Sequence, residues 1–287
     1  MAYKSSPRPV FDGPTPIPYN RVTRHVWGDA EAGFVDDWIY ISTDKIHQLV
    51  FGLPPGAGFR HSQSFRTVFS ADEVLTVLMG TMVIANPETG EVHLVHTGES
   101  VFFQKDTWHH AYAWGSEELR VLEYFAPPPS TGSSGKYAQT RPYVSDWTYE
   151  RRELIHDWPR GKAEADARAK FHVLREADKL WSLDPTDPRV LTGITASTDQ
   201  LTAGCVRLQP GAQGQVQSHP GATGLYVLSG RVNILIDDPD MNPPVWFELH
   251  PQDGFYIPPD TRYRAFNMGG TPAEYLFGTA PLYREKA

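Results

Sequence analysis

Residues 41–57, ISTDKIHQLVFGLPPGA, return later in the chain as ASTDQLTAGCVRLQPGA at 196–212. Ser-Thr-Asp and Pro-Gly-Ala stand in register in both, and the residues between them form runs of strand length. The correspondence continues. EVLTVLMGTMVI (73–84) aligns with TGLYVLSGRVNI (223–234), HTGESVFFQKDTWHHAYA (96–113) with HPQDGFYIPPDTRYRAFN (250–267), and FAP (125–127) with TAP (279–281). Self-similarity in the same order, at spacings of about 150–155 residues, is one structural module written twice. The chain reads as two copies of one β-domain.

Short β-branched and aromatic runs fill both copies, and 24 Gly and 25 Pro separate them, which predicts an all-β fold with frequent turns. The division expected from the repeat is an arm over 1–40, a first barrel over 41–128, a connecting segment over 129–190 and a second barrel over 191–287. The arm carries five prolines in its first 20 residues, suiting either an extended segment that wraps a barrel or a partner subunit, or a disordered tail. The connecting segment opens on a Pro/Ser/Gly loop and holds GKAEADARAK (161–170), whose Ala and charged residues favour a short helix.

Composition narrows the function. With 40% hydrophobic and 12% aromatic residues, the chain has material for a core. A net charge of −8 with no Lys/Arg-rich run argues against a nucleic acid or an anionic membrane as partner. No apolar run is long enough to span a membrane. The N-terminus lacks a secretion signal's apolar stretch. Cys205 is the only cysteine, so no intrachain disulfide is expected, and a reducing, cytoplasmic setting is the simple expectation. Glycine-rich nucleotide loops, a G-x-S-x-G elbow and a C-x-x-C pair are all missing.

The first copy contains PPGAGFRHSQ (54–63), EVLTVLMG (73–80) and GESVFFQKDTWHHA (98–111). In order, these resemble the two motifs of the cupins, small antiparallel jelly-roll barrels, and the second copy resembles them more loosely. The resemblance implies an all-β bicupin, with two tandem cupin barrels joined by a partly helical linker. It assigns the metal-ligand positions to His61, Glu73 and His109, and the turn glycines to Gly80 and Gly98. Gln63 stands where a second histidine is usual, as a fourth ligand or a substrate contact. Gln104 replaces the motif's proline. Arg60, Arg66, Gln104 and Lys105 flank the implied site and offer weaker substrate contacts. In the second copy, Gln217 and His219 lie near the histidine slot, Thr223 replaces the glutamate and Tyr263 the last histidine. That barrel is expected to have lost its metal while keeping, at most, a small-molecule pocket.

His109 and His110 are adjacent, and adjacent strand residues point to opposite faces. If His109 faces inward, Ala111 and Ala113 share its face, and Trp108, His110 and Tyr112 face out. Two imidazoles and a carboxylate with open positions are the facial set of non-haem iron oxygenases. The expectation is one divalent metal, Fe(II) favoured over Mn, Zn or Ni, in a dioxygenase using O₂ on a small organic acid, diketone or aromatic compound. The alternatives are a non-redox cupin (isomerase, epimerase, decarboxylase or lyase) and a non-catalytic small-molecule-binding protein. Exposed sheet edges suggest a homodimer.

Overall fold

A computed structural model describes residues 7–128, 135–237 and 244–285. It contains two β-barrels of the same plan. In the first, a large sheet runs in the order His172–Leu174, Ser100–Phe103, Asp72–Met79, Leu119–Ala126, His47–Leu53, Gly33–Ser42 and Thr23–Asp29. A small sheet of Gly58–Phe59, His110–Ala113, Thr81–Ala85 and Val92–His96 faces it. In the second, the large sheet runs Thr15–Ile17, Gly254–Ile257, Ala222–Ser229, Ala273–Ala280, Thr202–Leu208, Val190–Ser197 and Leu180–Leu183. Its small sheet is Trp246–Leu249, Val232–Ile236 and Tyr263–Phe266. The pairing repeats as the sequence does: Glu73 lies opposite Phe125 in the first barrel, and Thr223 opposite Thr279 in the second.

Inner large-sheet strands such as His47–Leu53 and Leu119–Ala126 are buried along nearly their whole length, because the two alternating phases face two different cores. In Leu119–Ala126, Val121 and Phe125 enter the first barrel's core with Leu75, Val77 and Phe103. The opposite phase, Leu122, Tyr124 and Ala126, joins Ala203, Cys205, Ala222 and Leu276 in a core between the barrels. The two large sheets thus pack back to back, and each fully buried Val, Leu or Phe contributes about 1.5–3 kcal/mol. Polar atoms fix the registration. The Tyr124 hydroxyl donates to Gly224 O (3.1 Å), the Gln48 amide to Leu225 O (3.0 Å) and the Tyr40 hydroxyl to Gln252 O (2.7 Å). A Cβ on Gly278 would sit 2.4 Å from Cδ1 of Tyr124, so only glycine admits that ring.

The boundaries differ from the expected ones. Proline, which cannot donate to a ladder, ends at Pro18, and from Thr23 the chain forms strands of the first barrel's large sheet, well before residue 41. The arm proper contributes Thr15–Ile17 as an added strand on Gly254–Ile257 of the second barrel. The connecting segment is also partly strand. His172–Leu174 pairs with Ser100–Phe103 of the first barrel, and Leu180–Leu183 with Val190–Ser197 of the second. The expected helix is the shorter Lys162–Ala167, and the loop residues 129–134 lie outside the described residues.

Candidate metal centre

Glu73 opens the strand Asp72–Met79 on its inward phase, and Glu123 sits mid-strand in Leu119–Ala126 on the inward phase shared with Val121 and Phe125. Because Glu73 lies opposite Phe125 and Glu123 opposite Leu75, the two carboxyl groups are diagonal neighbours on one face. They hydrogen-bond to each other, which requires a shared proton. Burial raises the proton affinity of both, and at Glu73 the neighbouring Glu123 charge raises it further. Glu73 Oε2 is buried with no hydrogen-bond partner. An unpaired buried carboxylate oxygen is costly, and a cation is what would relieve it.

His109 enters from the opposite wall. Its ring lies among Phe103, Phe59 and Phe69, with centroids 4.9, 5.9 and 5.9 Å away. Burial brings its pKa down to about 4, so it is neutral at ordinary pH. Its Nδ1 faces Thr107 O at 3.4 Å, and with the proton there the lone pair lies on Nε2, the tautomer of a metal ligand with a carbonyl behind it. One ligand atom from each of Glu73, His109 and Glu123 lies within 4.8 Å of the others, and all three residues are buried.

The inward reading of His109 therefore matches its packing, with Ala111 and Ala113 in the same core. His61 is a correction: the structure does not bring it to Glu73 and His109. Strand alternation ends at Phe59, and Ser62 turns the chain by donating from its hydroxyl to Asp29 (2.8 Å). The His61 ring then lies outside the barrel. Its Nε2–H donates to Val144 O (2.8 Å), its Nδ1 lies 2.7 Å from His110 Nε2, and its backbone N–H also donates to His110 Nε2 (3.3 Å). Trp108, Tyr143 and Trp147 close around it at 4.6–5.0 Å. His110 does face outward, but the segment 143–149 covers it, and its Nδ1 lies 2.7 Å from the Tyr149 hydroxyl.

The other flanking residues serve this strap or solvent. Gln63 is exposed and its Oε1 accepts from Arg66 Nη2 (3.2 Å). Arg66 is buried and donates to Ala138 O and Arg141 O (3.2 and 3.0 Å). Arg60 lies over Trp147, and Gln104 and Lys105 are exposed in a turn. None of these lines the cavity beside His109. In the second barrel the residues at the corresponding positions pair with one another. The Tyr263 hydroxyl lies 3.1 Å from Nε2 of His219, whose Nδ1–H donates to Tyr283 O (2.8 Å), and Thr223 pairs with Thr279 (2.8 Å). Gln217 exchanges backbone hydrogen bonds with Tyr263. With no carboxylate among them, these residues make no divalent-metal set.

Sequence reasoning missed Glu123, and also Asp37 and His47, which line the same cavity. The signal for Glu123 was its place between Val121 and Phe125 on one strand phase, where the second copy has Phe277. The cavity offers about 60 Å³ to the centres of water-sized molecules and is walled by Trp27, Phe51, Phe59, Phe69 and Phe125. Asp37 is buried in its wall, and burial, then the Glu123 and Asp36 charges, keep its carboxyl protonated well above the usual range. His47 stacks on Phe125 at 4.5 Å and lies 2.8 Å from the Ser42 hydroxyl.

Comparison with known proteins agrees with this architecture. A family model described as a cupin domain matches residues 204–278, in the second barrel. A glyoxylate-induced protein described as putative, from Pseudomonas aeruginosa, superposes with a TM-score of 0.66 at 16% identity, over 100% of this chain and 96% of that one. Lactobacillus farciminis oxalate decarboxylase gives 0.65 at 14%, over 96% and 88%. A mutant of Bacillus subtilis oxalate decarboxylase gives 0.62 at 14%, over 96% and 79%. No curated protein sequence matches the chain. Two antiparallel barrels packed through their large sheets, one with a buried carboxylate–imidazole cluster, define a bicupin. Residues 204–278 match the cupin-domain model, and the chain as a whole shares the two-barrel fold of these structures. No helix among the described residues is long and apolar enough to cross a membrane.

Proposed function

We propose that this chain is a metal-dependent cupin enzyme acting on a small organic acid in its first barrel, with Glu73, His109 and Glu123 holding one divalent cation. The observation that carries this reading is the buried three-residue cluster with an unpartnered Glu73 oxygen. Two carboxylates balance a divalent charge, and one imidazole with two carboxylates suits Mn(II) or Fe(II) better than softer ions. The bound ion would act as a Lewis acid toward a substrate oxygen. The aromatic walls exclude water, and the protonated Asp37 carboxyl offers a proton inside the cavity.

That proton favours non-redox chemistry of the decarboxylase or lyase kind. When a substrate C–C bond to a carboxylate breaks, CO₂ leaves and the electron pair stays on the remaining carbon. Asp37 would then protonate that carbon and be reprotonated from solvent. The dioxygenase expectation drew on two imidazoles and one carboxylate, and with His61 held outside the barrel the grouped set is a different one. It stands as a second reading, supported by a three-ligand set that leaves coordination positions open.

The test is elemental analysis of the purified protein beside Glu73→Gln, His109→Ala and Glu123→Gln, followed by CO₂ release and O₂ uptake with a panel of small acids. One equivalent of metal lost in each variant, with CO₂ released and no O₂ consumed, is the expected result. O₂ uptake would move the function to the dioxygenase. Absence of metal after reconstitution would overturn the enzyme reading in favour of a binding protein. A homodimer also belongs to this proposal. Val26 and Phe34 in one edge hairpin, and Leu180 and Leu183 on the other edge strand, are exposed, and sedimentation analysis would detect the pairing.

A further inference from the structure

The cavity that contains His109 and Glu123 has a second polar end, formed by Ser42, His47 and Arg8. Arg8 belongs to neither repeat. It comes from the N-terminal arm, and its position is set from both barrels. Its Nη2 donates to Thr43 O (2.8 Å), and the next residue, Pro9, accepts the Ser42 N–H (2.8 Å). Farther along, Phe11 lies against Tyr256 (5.5 Å), and Thr15–Ile17 is a strand of the second barrel. The Arg8 charge reaches the cavity wall. After burial, it is the cause that keeps His47 neutral, down to about 3.

Charge and size together restrict what this space accepts. A cation held by Glu73 and Glu123 would leave that end neutral, while the arm end presents a guanidinium. A guanidinium is a planar fork of N–H donors matched to a carboxylate. The cavity, about 60 Å³, suits a short ligand and not an extended one. The flanking aromatic rings favour an apolar chain between the two ends.

We infer that Arg8 is the specificity-determining residue that binds the substrate's carboxylate, and that the substrate is a short-chain acid. The carboxylate bound by Arg8 lies at the arm end, and the reacting end points toward Glu73, His109 and Glu123. This rests on the reading that the first barrel's cavity holds the substrate. It also gives the second barrel a part in the site, since that barrel anchors the arm that carries Arg8.

The test is a ligand-observed NMR titration of the full chain, as purified, with butanoate and with the isosteric neutral butanamide. Wild type is compared with Arg8→Gln and Arg8→Lys, and metal content is measured on the same samples. Butanoate is expected to bind in preference to butanamide. Arg8→Gln should weaken butanoate by about tenfold or more without changing butanamide. Arg8→Lys, which keeps the charge but not the fork, should fall between and serves if Arg8→Gln does not fold. Butanoate binding that is indifferent to Arg8, or no preference for the anion, would overturn the inference. Arg8-dependent binding in a protein free of metal would leave it standing while removing the metal reading. Bound metal with Arg8-independent butanoate would do the reverse.

Discussion

Nδ1 of His61 lies 2.7 Å from Nε2 of His110, outside the first barrel, while the next-door His109 points into it. Three histidines from the two motif segments are thus split between two tasks. One joins the buried carboxylates Glu73 and Glu123, and two tie the strap 143–149 to the barrel wall.

His61→Ala should leave metal content at the wild-type level and loosen the strap. It strands Val144 O and removes the ring-to-ring contact with His110, a cost of about 1–3 kcal/mol. Faster amide hydrogen exchange over 143–149, beside unchanged metal by elemental analysis, is the expected pair of results. Loss of metal would return His61 to the ligand set.

Glu123→Gln should abolish metal binding yet stabilise the metal-free protein at pH 8. The carboxyl is raised by burial, so above the ordinary carboxylate range the unfolded chain gives up a proton that the folded state retains. Folding loses stability there as pH rises, and glutamine carries no such burden. A gain of about 1–3 kcal/mol in urea unfolding is expected.

Metal affinity should rise with pH. Glu73 and Glu123 have raised proton affinities and must release a proton to bind a cation, whereas His109 is already neutral above about 4 and releases none. Release of one proton gives about tenfold tighter binding per pH unit, until the pair is ionised. The metal-dependent rise in thermal midpoint should therefore be larger at pH 8 than at pH 5.5. A flat profile would mean that the carboxyl pair is not where the metal binds.

Gly278→Ala should cost about 2–3 kcal/mol, because its Cβ would strike the Tyr124 ring between the barrels. Adding Tyr124→Leu should recover part of the loss. The double-mutant cycle in urea measures the coupling.

The repeat was legible because its turns are local: Pro-Gly-Ala and the glycines at 80 and 98 need particular backbone shapes, and Gly80 and Gly98 do adopt positive φ. Glu73 and His109 were legible because each lies on a strand or next to one, where alternation fixes the side-chain direction. His61 follows a two-residue strand and then a turn, so alternation does not reach it, and its partners come from a segment about eighty residues away. Glu123 was overlooked because the family pattern has no slot for it, although its strand phase placed it inside. The arm's destination depends on a pairing between the chain's two ends, which no local pattern encodes.

The added strands Thr15–Ile17 and His172–Leu174 have a consequence for how this chain can be divided. Each lies outside the repeat that it completes, and each covers a strand, Gly254–Ile257 or Ser100–Phe103, that would otherwise be the sheet's open margin. Cutting the gene at the repeat boundaries would give two half-proteins, each with a row of naked amide and carbonyl groups ready to pair with a neighbour's. The unit of inheritance is therefore the pair, and the duplicated sequence can no longer be returned to a single copy without new protection for that margin.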